Sequence, residues 1–257
     1  MLLKHVAGLS DADLIGSNEI DLSPQQQSRL DGFIEERLQG RPISKIIGMK
    51  EFYGRDFIVS DDVLDPRPDS EILIEAVLKH VSSSNKLGSD IAILDLGTGS
   101  GCLILTLLVE LPNADGVGTD ISDKAMAIAN KNAEKHGLTG RAQFIKSDWF
   151  ENVTGQFDVI LSNPPYIETD VIPLLDKSVR AFDPILALDG GADGLLPYKM
   201  ILPQVKWSLK PGGMIAMEHG HDQCGRIKRL IEKEGFDQIR AHQDLGGKDR
   251  VLTAIHT

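Results

Sequence analysis

The sequence predicts an α/β fold, in which a seven-stranded, mostly parallel sheet follows a small N-terminal helical domain. From about residue 90 onward, short apolar runs alternate with amphipathic segments, which is typical of βαβ units. Residues 1–48 instead place apolar side chains at helical spacing. A chain of 257 residues, with 41% hydrophobic and 25% charged residues, can form one sizeable core and a small companion.

The N-terminal lobe is expected to contain a well-capped helix. Ser23 can cap it, Pro24 suits its first turn and Gln26 can complete a capping box. The apolar side of this helix is formed by Leu30, Phe33, Ile34 and Leu38. The chain is expected to divide into a helical lobe at 1–48, a hairpin with a connecting helix at 49–89, and the sheet domain at 90–257.

The middle part of the chain is expected to lead from the lobe to the sheet. A hairpin around Gly54-Arg55 is predicted for the segment EFYGRDFIVS. The segment DPRPDSE, residues 65–71, is irregular and stiffened by its prolines, and a helix follows at 72–81. The polar stretch at 82–90 is expected to be a linker.

The sheet domain is expected to have about seven strands, separated mostly by helices. The predicted strands are 91–96, 114–120, 142–148, 157–163, 214–220, about 237–243, and 249–256. The predicted helices are 102–111, 123–137, a segment at 198–213 closed by Pro211 and Gly212, and 223–235 ended by Gly235.

Composition and residue spacing argue against several classes of function. No apolar run reaches membrane-spanning length and no signal peptide is recognisable, so a cytoplasmic protein is expected. Cys102 and Cys224 lie far apart, which suggests two buried thiols and neither a disulfide nor a zinc site. His219 and His221 lack a third ligand, so no metal is expected. The net charge of -11 disfavours nucleic acid as a partner.

A glycine-rich loop follows the first strand of the sheet domain. In the segment DLGTGSG, Gly97, Gly99 and Gly101 permit a tight turn and let a ligand approach the bare backbone. Cys102 follows, so the full dinucleotide-binding pattern is absent and a nicotinamide cofactor is less favoured. A tight turn without a ligand is the alternative.

Polar residues also follow the next two strands. Asp120 ends the second strand, where a carboxylate can accept from both hydroxyls of a ribose. Alternatively, Asp120 only starts the next helix together with Ser122 and Asp123. After the third strand, Asp148 and Trp149 can hold an adenine by its amine and its face, although Trp149 equally suits simple packing.

The fourth strand ends in Asn163-Pro164-Pro165-Tyr166. Two successive prolines remove two backbone donors, so this segment must be a stiff loop at the ligand edge of the sheet. The Asn163 side-chain oxygen and the Pro164 carbonyl can each accept one N–H of a planar NH2 group, which is a poor nucleophile. Both acceptors would aim the nitrogen at an electrophilic methyl group and stabilise developing positive charge. Tyr166 would cover the flat face of that group.

These residues give the chain a resemblance to a known family. It resembles the Rossmann-like class I S-adenosylmethionine-dependent methyltransferases, and within them the protein-(glutamine-N5) methyltransferases that act on peptide-chain release factors. The likeness covers nearly the whole chain. It is carried by DLGTGSG, SNPPYI, PISKIIGMKEFYGRDFIVSDDVLDPRPDSE, SDWF, ALDGGADGL, PGGMIAMEHG and DLGGKDRV.

The resemblance implies S-adenosyl-L-methionine as the cofactor. The implied substrate is the glutamine of the Gly-Gly-Gln loop of class I release factors, which the helical lobe would help to dock. The implied cofactor residues are Gly97, Thr98, Gly99, Ser100, Gly101, Asp120 and Trp149, with Asn163 near the methyl group. The implied glutamine-binding residues are Asn163, Pro164, Pro165 and Tyr166, of which Asn163, Pro164 and Tyr166 are the candidate catalytic residues.

Two positions depart from the family pattern. Asp65 stands where an aliphatic residue usually precedes P-R-P-D, and Asp183 stands where Glu is usual. Two other functions remain as alternatives. The N-P-P-Y sequence is shared with adenine-N6 and guanine-N2 methyltransferases, so a nucleic-acid amino-methyltransferase is the second candidate. A protein that binds the cofactor without turnover is the third.

Overall fold

The computed structural model describes residues 1–16, 19–84 and 88–256. Its N-terminal helices are α1 (Leu2–Ala7), α2 (Asp11–Gly16), α3 (Pro24–Leu38) and α4 (Ile43–Ile47). The predicted capping box is present at the start of α3, since the Ser23 side chain accepts from Gln26 N and the Gln26 side chain accepts from Ser23 N. α1 packs against α3, and α4 contacts the first strand of the chain.

A hairpin and a helix connect this lobe to the main sheet. β1 (Met49–Phe52) pairs with β2 (Arg55–Ile58) in antiparallel orientation. Tyr53 and Gly54 form the turn with φ angles of 51° and 71°, as a two-residue hairpin turn requires, so the prediction of Gly54-Arg55 was one residue late. A 3-10 turn (Pro68–Ser70) leads into α5 (Glu71–Ser83). Part of the predicted linker, residues 85–87, lies outside the described residues.

The main sheet has seven strands in the order β5-β4-β3-β6-β7-β9-β8, which confirms the predicted fold class. Pairs from β5 to β7 are parallel, and β9 is antiparallel to both β7 and β8. The strands are β3 (Ile91–Leu96), β4 (Ala114–Asp120), β5 (Ala142–Lys146), β6 (Phe157–Ser162), β7 (Leu209–Glu218), β8 (Asp237–Gln243) and β9 (Asp249–Ile255). β3 lies between β4 and β6, so the strand order reverses there and a crevice opens at the carboxyl ends.

Helices cover this sheet and complete the apolar core. They are α6 (Cys102–Glu110), α7 (Asp123–Lys135), α8 (Lys177–Arg180), α9 (Leu196–Ser208) and α10 (Cys224–Lys233). Short 3-10 turns at Thr169–Leu174 and Ile185–Ala187 lie in the long segment between β6 and α9. No helix among the described residues is both long enough and apolar enough to cross a membrane.

The predicted helix at 198–213 was wrong at its C-terminal end. α9 ends at Ser208, and Pro211 and Gly212 lie inside β7. The cause is pairing with the end of β9, since Gly212 N donates to His256 O (2.6 Å) and His256 N donates to Gly213 O (2.9 Å). The other predicted strands agree with the structure to within two residues.

Candidate active site

A cavity of about 310 Å³ opens at the carboxyl ends of β3, β4 and β6. Of the predicted site residues, the structure brings Gly97, Thr98, Gly99, Ser100, Asp120, Trp149, Asn163 and Pro165 into its wall. Gly101, Pro164 and Tyr166 are not part of that wall. The remaining wall comes mainly from residues 62–67 and from the segment 184–200.

The glycine loop turns sharply between β3 and α6. Gly97 and Gly99 have φ angles of 72° and 57°, which favour glycine. Gly101 is the N-cap of α6, and a Cβ there would lie 3.2–3.3 Å from the side chains of Leu105, Ala129 and Phe144. Gly101 therefore serves close packing behind the loop, and the structure does not place it against the cavity.

A buried carboxyl group lies beneath this loop. Asp95 is fully buried, and Thr98 Oγ1 donates to its Oδ2 over 2.7 Å. Burial raises the pKa of Asp95 to about 7, and the Thr98 hydrogen bond opposes that rise. Asn132 Nδ2 also donates to Ser100 O (2.8 Å), so the loop is held from both sides.

The Asp120 carboxylate accepts two backbone hydrogen bonds at the edge of the cavity. Gly99 N donates to its Oδ2 (3.0 Å) and Ser122 N donates to its Oδ1 (2.9 Å), so the carboxylate holds the glycine loop in place. Burial raises the pKa of Asp120, and these backbone donors oppose the rise. The cap of α7 is Ser122, whose side chain accepts from Ala125 N. Asp120 thus remains on the cavity wall as a candidate ribose acceptor.

Trp149 both packs and lines the cavity. Its φ angle of 47° is unusual for a bulky residue, and such backbone conformations concentrate at functional sites. Its Cζ3 lies 3.5 Å from where a Cβ on Gly97 would stand. The ring is also partly buried against the core on that side of the sheet. The absence of a side chain at Gly97 therefore makes room for the indole beside the glycine loop.

The proline loop begins where β6 ends. Ser162 Oγ donates to Leu96 O (2.7 Å), which joins this end of β6 to the end of β3. Asn163 Nδ2 donates to Ser70 Oγ over 3.2 Å. Because the amide nitrogen makes this bond, the amide oxygen of Asn163 is the atom that can accept from a ligand in the cavity.

Pro164 and Tyr166 belong to this loop but are not part of the cavity wall. Pro164 is buried, and the Tyr166 hydroxyl is 3.5 Å from Glu218 Oε1. The Tyr166 carbonyl accepts from Gln223 Nε2 (2.9 Å), which fixes the backbone in this direction. The hydroxyl of Tyr166 is thus directed toward Glu218, and the expected contact of its ring with a flat substrate group stays a prediction.

Glycines in the segment 188–195 hold the proline loop closely. A Cβ on Gly190 would stand 2.8 Å from the Cα of Tyr166, and one on Gly194 would stand 2.5 Å from its carbonyl oxygen. Gly190 N donates to Ile167 O (2.8 Å), which ties the two segments together. This close approach explains why Gly190 and Gly194 carry no side chain, whereas the adjacent Gly191 has a φ angle of 84° that favours glycine.

Comparison with known proteins shows the family to which this chain belongs. A family model described as the methyltransferase small domain matches residues 54–178, and the PrmC N-terminal domain model matches residues 1–48. A release factor glutamine methyltransferase of Agrobacterium fabrum is 41% identical over 98% of this chain and 88% of its own length. This chain belongs to the release factor glutamine methyltransferase family. One from Rhodospirillum rubrum is also 41% identical, over 99% of this chain and 77% of its own.

Solved structures show the same methyltransferase fold at lower identity. A methyltransferase from Pyrococcus furiosus superposes with a TM-score of 0.57 at 18% identity, covering 91% of this chain and 98% of its own. The T. thermophilus 16S rRNA N2 G1207 methyltransferase, in complex with AdoMet and guanosine, has a TM-score of 0.55 at 21% identity. The superposition covers 81% of this chain and 50% of the T. thermophilus chain. The predicted Rossmann-like methyltransferase fold is thereby confirmed.

The two departures from the release factor glutamine methyltransferase pattern meet at one buried lysine. Lys45 Nζ lies 3.4 Å from Asp65 Oδ1 and 3.3 Å from Asp183 Oδ1, and it donates to Ser60 O over 2.6 Å. Arg67 Nη2 pairs with Asp183 Oδ2 at 2.8 Å. Asp65 and Arg67 line the cavity, so this cluster connects the helical lobe to the cavity wall.

Sequence reasoning missed three other groups in this family member. Ser70, Glu218 and the wall formed by residues 62–67 received no role, although the segments PRPDSE and PGGMIAMEHG were noted for the resemblance. Since Ser70 lies 93 positions from Asn163, no local pattern could reveal their hydrogen bond. A buried Glu at a strand end is the one signal that could have been used, because such a charge is costly without a partner.

The histidines and cysteines were considered as metal ligands in the sequence. Among the described residues, no group of three or more His, Cys, Asp or Glu side chains could hold a metal ion. His219 is buried with Nδ1 2.8 Å from Gly220 O, while His221 is exposed. Cys102 is buried as expected, but Cys224 is only partly buried, so its prediction as a buried thiol was wrong.

Proposed function

We propose that this enzyme transfers a methyl group from S-adenosyl-L-methionine to the N5 amide nitrogen of a glutamine in class I release factors. The glutamine is that of their Gly-Gly-Gln loop. The observation that carries the proposal is that Asn163 and the glycine loop line one cavity, in a chain 41% identical to a release factor glutamine methyltransferase. Residues 1–48 would help to dock the release factor, and a translation factor as substrate fits a cytoplasmic location.

The residues of the cavity fit this cofactor. Gly97, Thr98, Gly99 and Ser100 would approach its methionine and ribose, with the bare Gly97 and Gly99 backbone leaving room for close contact. Asp120 would accept from the ribose hydroxyls, and Trp149 would lie on the adenine side. Gly101 would support the loop through packing. When bound, the cofactor supplies an electrophilic methyl group on a positively charged sulfur.

The chain supplies orientation for a weak nucleophile. A carboxamide nitrogen has a delocalised lone pair, so correct positioning must compensate for its low reactivity. Asn163 Oδ1 and the Pro164 carbonyl would each accept one N–H of the glutamine, and Pro165 would line the pocket beside it. These acceptors would stabilise the positive charge that grows on nitrogen as the methyl group moves. Tyr166 would stabilise the proline loop through its contacts with Glu218 and Gln223.

The proposal is tested by methylation of a release factor. The purified protein is incubated with cofactor labelled in its methyl group and with a wild-type release factor or a variant carrying Gln→Ala in the Gly-Gly-Gln loop. Label is expected in the wild-type factor alone. Equal labelling of both factors would refute the proposal. Labelling of RNA or DNA with a steep salt dependence would favour a nucleic-acid enzyme instead, and cofactor binding without any transfer would favour a binding protein.

A further inference from the structure

A buried acid lies directly behind the proposed glutamine site. Glu218 is 1% exposed at the end of β7, and it is not part of the cavity wall. Its Oε1 lies 3.5 Å from the Tyr166 hydroxyl, and its Oε2 has no hydrogen-bond partner among the described residues. Its backbone oxygen accepts from the Tyr198 hydroxyl (2.7 Å), so the strand is firmly held there. A buried carboxyl with an unfilled oxygen requires an explanation.

Ser70 connects this acid to Asn163. The Ser70 hydroxyl accepts a hydrogen bond from Asn163 Nδ2 over 3.2 Å, so its own hydrogen remains to be donated elsewhere. Ser70 and Asn163 both act as donors that lower the pKa of Glu218 against the larger effect of burial. Ser70 and Asn163 lie on the cavity wall and Glu218 does not, so these two side chains stand between the buried end of β7 and the cavity.

We propose that Glu218 is a positioning residue, whose ionised carboxylate fixes the direction of the Ser70–Asn163 hydrogen bond and so keeps the Asn163 oxygen available to the substrate. This inference rests on the proposed function, because it assigns Asn163 Oδ1 as an acceptor for the glutamine NH2. It adds a second set of residues, Ser70 and Glu218, that act only through Asn163.

The direction follows from which groups can donate. A carboxylate only accepts, so Ser70 donates to Glu218 and uses its lone pair to accept from Asn163 Nδ2. A protonated carboxyl can instead donate to Ser70, which then donates to Asn163. In that case the Asn163 amide turns its oxygen toward Ser70, and the acceptor for the substrate is lost.

The surroundings of Glu218 place this switch near neutral pH. Burial raises the pKa of Glu218 to about 7, the Ser70 hydrogen bond and the Arg250 charge lower it, and Asp69 raises it. Arg250 is shared with Asp69 (3.2 Å) and Asp244 (2.9 Å), so its charge is largely compensated. Burial raises the pKa of Tyr166, Tyr198 and Cys102, and the negative charge of Glu218 raises each of these pKa values further. The ionised, productive form therefore predominates above pH 7.

The first experiment measures the pH dependence of methyl transfer. In the wild type, kcat should rise with pH up to a plateau, with its midpoint near the Glu218 pKa of about 7. In Glu218→Gln, this rise of kcat with pH should be absent. The kcat at pH 8 should fall at least tenfold, while the cofactor Kd changes less than about twofold. The rise of kcat with pH should also be absent in Ser70→Ala. The matched control is Glu232→Gln on the exposed side of α10, which should keep the wild-type profile.

The second experiment needs no methyl transfer. In 15N-labelled wild-type protein, the side-chain amide signal of Asn163, assigned by its absence in Asn163→Ala, should shift between pH 5.5 and 8.5. The shift should be lost in Ser70→Ala. The inference would be overturned by an Asn163 signal that does not respond to pH. It would also be overturned if kcat of Glu218→Gln still rose with pH as in the wild type. If the release factor is not methylated but the Asn163 signal titrates as expected, the proposed substrate fails and the positioning role stands.

Discussion

At the scale of single residues, the two atoms of the Asn163 amide group have different functions. The nitrogen makes a structural hydrogen bond, and the oxygen is the proposed acceptor for the substrate. The Asn163 nitrogen is held by Ser70 over 3.2 Å, and the residue lines the cavity with the glycine loop. The local sequence was enough to select Asn163, since an Asn before two prolines at a strand end has few structural reasons to be there. Its partner Ser70 lies on another segment and required the structure.

The first prediction concerns this amide. Asn163→Ala should lower kcat at least 100-fold and change the cofactor Kd less than about threefold, because the lost oxygen acts mainly on the glutamine and the transition state. The measurement combines single-turnover methylation with calorimetric cofactor binding. Asn130→Ala, which removes an exposed amide on α7, is the control and should behave as wild type. A comparable loss of both quantities would show that Asn163 mainly holds the cofactor.

The second prediction concerns stability and Glu218. A carboxyl whose pKa is raised by folding, here from 4.5 to about 7, is destabilising once the unfolded chain can ionise it. Its unfavourable contribution therefore grows as pH rises from about 4.5 to 7 and then levels off. Glu218→Gln removes this contribution, so it should raise the free energy of unfolding by up to about 3 kcal/mol at pH 8 and much less at pH 5.

Urea unfolding at both pH values measures this difference. The variant is thus expected to be more stable and less active than the wild type at pH 8, which separates a functional role from a purely structural one. A variant that is less stable at pH 8 would mean that the ionised carboxylate makes net favourable contacts, contrary to the expectation.

At the scale of elements, close backbone approach decides where the proline loop lies. The prolines predict a stiff loop, but they do not say which way it faces. The orientation of the proline loop is set by Gly190 and Gly194, which leave room for the Tyr166 backbone. It is also set by Gln223, which donates to the Tyr166 carbonyl. These contacts turn the Tyr166 side chain toward Glu218 instead of toward the cavity.

The third prediction tests this packing. In Gly190→Ala, the new methyl group would stand 2.8 Å from Tyr166 Cα, so the proline loop must shift. Overpacking of this kind is expected to destabilise the protein by about 1–3 kcal/mol and to lower kcat at least tenfold through displacement of Asn163. Gly140→Ala, where a Cβ meets nothing within 4 Å, is the matched control. Full activity of Gly190→Ala would mean that the loop tolerates movement.

At the scale of the whole molecule, Lys45 joins the helical lobe to the cavity wall. It is fully buried between Asp65 and Asp183, which come from two separate segments, and it also contacts the carbonyls of Ser60 and Val63. Asp65 and Asp183, the two departures from the family pattern, thus share Lys45, and Asp183 also pairs with Arg67 (2.8 Å). The division of the chain into parts at 48 and 89 stays a prediction, and Lys45, together with the Arg41–Asp61 pair (2.9 Å) and the Ser44–Asp65 hydrogen bond, provides polar contacts across the first boundary.

The fourth prediction follows from this burial. Lys45→Met leaves two buried carboxylates without their shared cation, so the free energy of unfolding should fall by about 3–5 kcal/mol. Urea unfolding measures the change, and Lys131→Met on an exposed surface of α7 should change it by less than about 0.5 kcal/mol. The triple variant Lys45→Met, Asp65→Val, Asp183→Asn should recover part of the loss. No loss in Lys45→Met would show that water or Arg67 compensates the acids.

The sequence by itself determined the βαβ alternation, the glycine loop, Asp120 and the proline loop, because each depends on neighbours within a few residues and on the periodicity of strands and helices. Only the tertiary structure decided that Gly101 packs behind its loop, that Tyr166 faces Glu218, and that Lys45 pairs with Asp65 and Asp183. It also decided that Pro211 and Gly212 belong to β7, through pairing with the chain's last strand. The physical reason is the same in each case: these positions are set by contacts between segments distant along the chain, whose partners no local pattern specifies.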